Sequence, residues 1–145
     1  MEADWNLEDS RAIESAHTFE DLLEVALKII DRLPQPLGMV CGPITTGGLG
    51  CSEKNLEVLE KTIENLRKQG LTIFSQLPFE MPMFRIKKTT YYKGGSHLLE
   101  TFYLPIFESG KVKRFYFIKG WESSGGATWE NKQAKRIGIA IIYLP

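Results

Sequence analysis

The sequence predicts an α/β fold built on a parallel sheet, and three observations carry that expectation. Short apolar runs of the kind that form buried strands occur at 37–41, 71–74, 114–119 and 139–144. Between them lie stretches whose apolar residues recur at helical spacing. Strand and helix patterns alternate, as βαβ units do and successive hairpins do not.

The elements follow in chain order. Thr18 opens a helix as its N-cap, with Glu20 and Asp21 in the first turn, where carboxylates suit the helix dipole. Leu22, Val25, Ala26, Ile29, Ile30 and Leu33 form its apolar stripe, and Pro34 and Pro36 end it. A shorter helix covers 6–16, so residues 1–36 read as a helical appendage without chemistry of its own. The strand at 37–41 runs straight into Gly42-Pro43-Ile44-Thr45-Thr46-Gly47-Gly48-Leu49-Gly50. Ser52 is the next N-cap candidate. Leu56, Leu59, Ile63 and Leu66 mark the buried face of a helix that stops at Gly70. With the strand at 71–74, residues 37–75 form one βαβ unit, whose crossover is right-handed by rule.

Pro78, Pro82 and the Gly94-Gly95 pair make 76–96 a long loop, rich in aromatic and basic residues. Ser96 caps a helix to about residue 108, kinked or divided at Pro105. A third strand at 114–119, a second glycine- and serine-rich turn at 120–126, a short helix at 127–136 and a last buried strand at 139–144 complete the chain. The whole is a Rossmann-like or flavodoxin-like three-layer sandwich. It has a parallel sheet of four to five strands over residues 37–145, preceded by the N-terminal helices.

Composition excludes several classes. A chain of 145 residues buries a sufficient core without disulfides or metal. Hydrophobic and charged shares of 43% and 25% exclude disorder, collagen-like repeats and a coiled-coil rod. No apolar run approaches the ~20 residues of a membrane span, and the opening MEADWNLEDS lacks the apolar core of a secretory signal. Cys41 and Cys51 are too few for a disulfide framework, and with His17 and His97 they make no metal-ligand pattern. The expectation is a cytoplasmic, reducing setting with no metal or organic cofactor. The net charge is zero but unevenly spread. Residues 1–33 carry nine acids against three bases, and residues 85–136 carry eleven bases against four acids. Either this is solvated surface, or the basic body attracts an anionic ligand. No continuous nucleic-acid stripe is present.

Both glycine-rich turns, 42–50 and 120–126, follow strands and precede helices, so they converge at the end of the sheet where such folds bind ligands. The first turn offers backbone N–H groups, the Thr45 and Thr46 hydroxyls and a helix N-terminus, a combination suited to an anionic group such as phosphate. It matches neither the triphosphate-binding nor the dinucleotide-binding glycine pattern. It also reads as a simple structural turn. In the second, Glu130 falls in the first turn of a helix behind small residues. It is either a dipole partner or, facing the cleft, a nucleophile for a sugar carbon. His97 is a lesser candidate for a general base, and Glu100 and Glu108 for a second carboxylate. Cys41 reads as a small buried hydrophobe. Trp121 is either a packing residue or a stacking surface for a base.

Taken together, VCGPITTGG, the helix containing Asn55, KQGLTIFSQLPFE and FIKGWESSGGATWENKQAKRIGIAII resemble the nucleoside 2-deoxyribosyltransferase-like superfamily, which includes the 2′-deoxynucleoside 5′-phosphate N-hydrolases. The resemblance spans about residues 37–145. It implies that Glu130 attacks C1′ of the sugar and that Ser124, six residues earlier, contacts the substrate. It further implies that the first loop, with Gly42, Ile44, Thr45, Thr46, Gly47 and Gly48, faces the sugar or its phosphate, with basic residues such as Lys87, Lys88 or Lys93 assisting if that end is a phosphate, and Trp121 and Gly126 are further candidate binding residues. The implied partner is a nucleoside or nucleotide, with no nucleic acid and no membrane, and a homo-oligomer with shared sites. The family has an aspartate before the third strand, where this chain has only Glu100 and Glu108. That difference supports an alternative, a non-catalytic nucleotide sensor of the same fold. SGGATWE also resembles, more weakly, the glycine and glutamate motif of cytokinin-activating phosphoribohydrolases.

Overall fold

The computed structural model describes residues 5–45 and 47–145. Its helices are α1 (Leu7–Ser15), α2 (Phe19–Arg32), α3 (Ser52–Lys68), α4 (Glu80–Lys87), α5 (Leu104–Glu108) and α6 (Gly125–Ile137). Its strands are β1 (Leu37–Cys41), β2 (Thr72–Ile73), β3 (Val112–Phe117) and β4 (Ala140–Tyr143), all parallel, in the order β2-β1-β3-β4. The fold is the expected α/β architecture of Rossmann-like or flavodoxin-like kind. Two compact units divide the chain: a helical unit of residues 1–33 and 76–109, and a sheet unit of residues 34–75 and 110–145.

In the sheet unit all five residues of β1 are buried, as the apolar run predicts. Gly38 pairs with Arg114 and Cys41 with Phe117 along the β1–β3 ladder, and Arg114 to Phe117 pair with Ala140 to Tyr143. From β1 the chain crosses through α3 to β2, moving one way along the sheet. From β3 it crosses through α6 to β4, moving the other way. Right-handed crossovers in opposite directions put their helices on opposite faces, and the direction reverses between β1 and β3. Several elements differ from the sequence reading. α3 begins at Ser52 itself, with Cys51 as N-cap and no side-chain cap bond. β3 begins at the buried Val112, two residues earlier than expected. α6 begins at Gly125 because Ser124 caps it. β4 is not a buried strand: it lies at the sheet edge, where Ala140 and Tyr143 are exposed.

In the helical unit α1 and α2 open on reciprocal capping boxes. Asn6 accepts from the Asp9 amide at 2.8 Å while Asp9 accepts from the Asn6 amide at 3.0 Å. Thr18 and Asp21 exchange the same pair of bonds at 3.0 and 3.2 Å. The His17 amide also donates to Asp21, which chiefly holds that carboxyl below its ordinary value. Asp9 is buried and pairs with Arg32. The expected loop at 76–96 contains α4 instead. Pro78 sits in the 3-10 turn Leu77–Phe79 and Pro82 in the first turn of α4, where a helix has no use for the missing N–H. The helix over 97–108 widens into a π turn at Leu99–Tyr103, with the Leu104 amide donating to the Leu99 carbonyl. That wide turn accommodates Pro105, which has no N–H to donate. Phe19, Phe79, Phe102, Ile106 and Phe107 are fully buried. Arg85 donates to the carbonyls of Ala16 at 2.7 Å and Ile13 at 3.0 Å. The α1–α2 segment thus groups with residues 76–109 in one helical unit. Among the described residues no helix is long and apolar enough to cross a membrane.

Candidate functional site

The two glycine loops leave the carboxyl ends of the neighbouring strands β1 and β3, at the switch in strand order, and they touch. The Gly48 amide donates to the Ser123 hydroxyl at 2.8 Å, and that hydroxyl donates to the Gly120 carbonyl at 2.8 Å. Gly47 has φ +71°, and a Cβ there would stand 2.2 Å from the Ser123 carbonyl oxygen. Only glycine permits both the left-handed backbone and this approach. Asn55, buried in the first turn of α3, shapes the rest of the loop. Its amide donates to the carbonyls of Ile44 at 3.0 Å and Gly47 at 3.2 Å, and its oxygen accepts from the Leu49 amide at 3.0 Å.

A pocket of about 310 Å³ opens here, lined by Pro43, Gly48, Leu49, Asn55, Val58, Ile118, Lys119, Gly120 and Ser123. Apolar walls with a few placed polar groups are the usual chemistry of a small-molecule site. Of the residues expected to bind, Gly48 lines it and Gly47 packs on its Ser123 wall. The Ile44 carbonyl is tied to Asn55, Thr45 is exposed, and Gly42 is buried against Ile118. Thr46 lies outside the described residues. The loop is not the open cradle of amides that its glycines suggest. The amides of Gly48, Leu49 and Gly50 already donate to Ser123, Asn55 and Gly47. The positive end on offer is instead the first turn of α3, which has no side-chain cap.

The second turn divides its work among neighbours. Ser124 is buried, and its hydroxyl accepts from the Ala127 amide at 3.1 Å, which makes it the cap of α6. Gly125 and Gly126 have no crowding to explain them: a Cβ on Gly125 meets nothing within 4 Å, and one on Gly126 only the Ser124 hydroxyl at 3.8 Å. Both sit in a helix with ordinary backbone angles, where alanine costs less than glycine. Because α6 starts at Gly125, Glu130 is its sixth residue, two residues deeper than expected. It is 9% exposed, and its carboxylate is near enough to act on the thiol of Cys41, the fully buried last residue of β1. Burial pushes that thiol well above its ordinary value, and the neighbouring carboxylate pushes it further. Trp121 stacks on Tyr143 with ring centres 5.8 Å apart and a 17° tilt, beside Phe117 at 5.2 Å. These rings and Lys119 line a second, shallower hollow of about 350 Å³.

The remaining candidates belong to the helical unit. His97 accepts from the Lys93 amide at 3.0 Å and packs on Phe19 with ring centres 5.0 Å apart. Lys88 lies over the Phe84 ring, 4.2 Å from its centre. Glu100 and Glu108 are exposed. Glu80, which sequence reasoning misses, is raised from 4.5 to about 7 by burial, with Lys87 pulling it partly back. Among the described residues no group of three or more His, Cys, Asp or Glu is placed to hold a metal ion. Sequence reasoning also misses Ser123 and Lys119, and it gives Asn55 no role. Asn55 left a signal: it stands four residues before Leu59, and so puts a polar group on an apolar stripe.

The chain matches no protein-family model, no curated protein and no solved structure. What the site does rests on its geometry and on the resemblance of its two motifs.

Proposed function

We propose that the protein cleaves or exchanges the N-glycosidic bond of a nucleoside or nucleoside 5′-monophosphate, with Glu130 as nucleophile. One observation carries this reading: the buried Glu130 lies in the helix that follows the second loop and acts on the thiol of Cys41, the last residue of the strand that feeds the first, and the two loops touch through Gly48 and Ser123. The Glu130 carboxylate attacks C1′, and the bond to the base breaks with its electron pair leaving on the base nitrogen. In hydrolysis water then frees the sugar, so that over the cycle water supplies the hydroxyl on C1′ and the proton on the base. In exchange an acceptor base takes the place of water. Gly125 and Gly126 leave room for the sugar at the start of α6, and Lys119 is the cation beside the pocket for a 5′-phosphate. A homo-oligomer with shared sites belongs to the same reading and is measurable by sedimentation.

The sensor reading has one observation of its own. The residues lining the 310 Å³ pocket include no acid, while Glu130 is engaged with a thiol. Incubating the protein with a panel of nucleosides and 5′-monophosphates, and following free base by chromatography, separates the two. Release of base from any member supports the enzyme. A ligand-induced rise in melting temperature without release supports the sensor and removes Glu130 from a chemical role.

A further inference from the structure

We propose that the aromatic hollow at the ends of β3 and β4 receives the base of a nucleoside 5′-monophosphate, while the phosphate enters the 310 Å³ pocket, with Lys119 between them. The proposal rests on the reading of the ligand as a nucleotide, and it holds for an enzyme and a sensor alike. Three rings meet at the hollow. Phe117 and Tyr143 are the last residues of β3 and β4 and pair across the ladder. Gly120, left-handed at φ +87°, turns the chain after β3. Trp121 then lies 5.2 Å from Phe117 and 5.8 Å from Tyr143 between ring centres. This is the carboxyl end of the parallel sheet, where such folds bind ligands.

Two observations set the hollow apart from ordinary packing. The first is that its rings are both exposed and fixed. Tyr143 is 54% exposed, yet its hydroxyl accepts from the Asn131 side-chain amide at 3.1 Å. Asn131 is itself buried on α6, so the tether starts from a rigid element. Trp121 is tilted from Tyr143 by only 17°, and the two present flat surface in nearly one orientation. A preset pair of near-parallel rings takes a planar ligand ring, because every base has a π-face to stack. The second observation is that the two cavities adjoin. Lys119 and Gly120 line both. At about 310 and 350 Å³ each cavity alone is near the small end of ligand sites, roughly 300–1,000 Å³. A ligand of two chemically different parts uses both. The hollow supplies aromatic surface. The pocket has no acid in its lining and takes in Asn55, from the uncapped first turn of α3. Lys119 is the one charged residue the cavities share, and an ammonium there serves a phosphate as a point charge.

The test titrates the full chain with the panel of nucleosides and 5′-monophosphates, and with deoxyribose 5-phosphate, which lacks the ring. Indole fluorescence, excited at the red edge of its absorption, reports stacking, and calorimetry reports Kd. A monophosphate that binds quenches the wild type, and deoxyribose 5-phosphate does not. Trp121→Phe keeps a ring but removes the reporting indole, so most of the quenching disappears while Kd stays within about threefold. Trp121→Ala weakens binding roughly 5- to 100-fold. Lys119→Gln weakens monophosphates and leaves nucleosides within about twofold. Quenching that survives in Trp121→Phe overturns the proposal. So does an unchanged Kd in a Trp121→Ala protein that unfolds at the wild-type denaturant midpoint. In either case, base release by the wild type leaves the glycosidic reading standing without the hollow. Quenching with no base released from any member leaves the hollow standing and removes Glu130 from a chemical role. No saturable binding of any monophosphate overturns the hollow and the nucleotide reading together.

Discussion

The helical unit and the sheet unit solve the same local problems differently. Both helices at the start of the helical unit close their own first turns with capping boxes, Asn6 with Asp9 and Thr18 with Asp21. In the sheet unit, α3 has no side-chain cap, and α6, capped by Ser124, begins with two glycines that crowding does not require. The charges divide along the same line. The helical unit holds twelve acids against seven bases, and the sheet unit eleven bases against six acids. A helix that caps its own first turn has fewer donors left for a ligand than the uncapped end of α3 on a basic body. On the proposed function, the residues of the first unit serve stability and those of the second handle the ligand.

The sharpest way to break that division is at Glu130. Glu130→Gln keeps the shape and removes the attacking charge, so turnover falls by several orders of magnitude while ligand affinity changes by no more than about 1–3 kcal/mol. Glu122→Gln, on the exposed part of the same turn, leaves both unchanged. Equal turnover in Glu130→Gln and wild type, measured by base release, moves the chemistry elsewhere.

The next effect belongs to the helical unit. Burial lifts the Glu80 carboxyl from 4.5 to about 7 in the folded protein. Between those values the folded state holds a proton that the unfolded state has lost. Stability is therefore full below about pH 4.5, falls as pH rises, and levels off above about pH 7, a loss of about 1–3 kcal/mol. Urea unfolding at pH 5 and pH 8 measures it, and Glu80→Gln flattens the difference without altering ligand affinity at either pH.

Gly47→Ala tests the contact between the loops. The left-handed backbone and the displaced Ser123 together cost about 2–3 kcal/mol, and ligand-induced thermal shift weakens as the pocket loses a wall. Asn6→Ala costs about 1 kcal/mol through the lost cap and leaves ligand binding untouched, which is the contrast the two units predict. The smallest effect has the opposite sign. Gly126→Ala stabilises the protein by about 0.5–1 kcal/mol, because its Cβ meets only the Ser124 hydroxyl at 3.8 Å. It weakens ligand binding in the same protein. Unchanged affinity would return Gly126 to an ordinary helix start.

Local chemistry makes much of this molecule legible in the amino-acid order alone. The apolar run of β1, the Thr18 cap with its stripe to Leu33, and the alternation of strand and helix each depend on neighbours within a few residues. They point to the fold class and to two glycine-rich loops that each follow a strand. Position along a sequence misleads where the reading depends on context. Pro78 and Pro82 look like breakers until each falls in a first turn, where the absent N–H is harmless. The strand at 140–143 looks buried until the sheet ends beside it and exposes Tyr143. The loop amides look like free donors until Ser123 accepts from Gly48 and Asn55 from Leu49. The sequence by itself determined which segments become strands and helices, because propensity, capping and periodicity act over short range. Only the tertiary structure decided that Cys41 faces Glu130 and that Gly48 reaches Ser123, because residues so distant in the chain are brought together by sheet order and crossover direction alone.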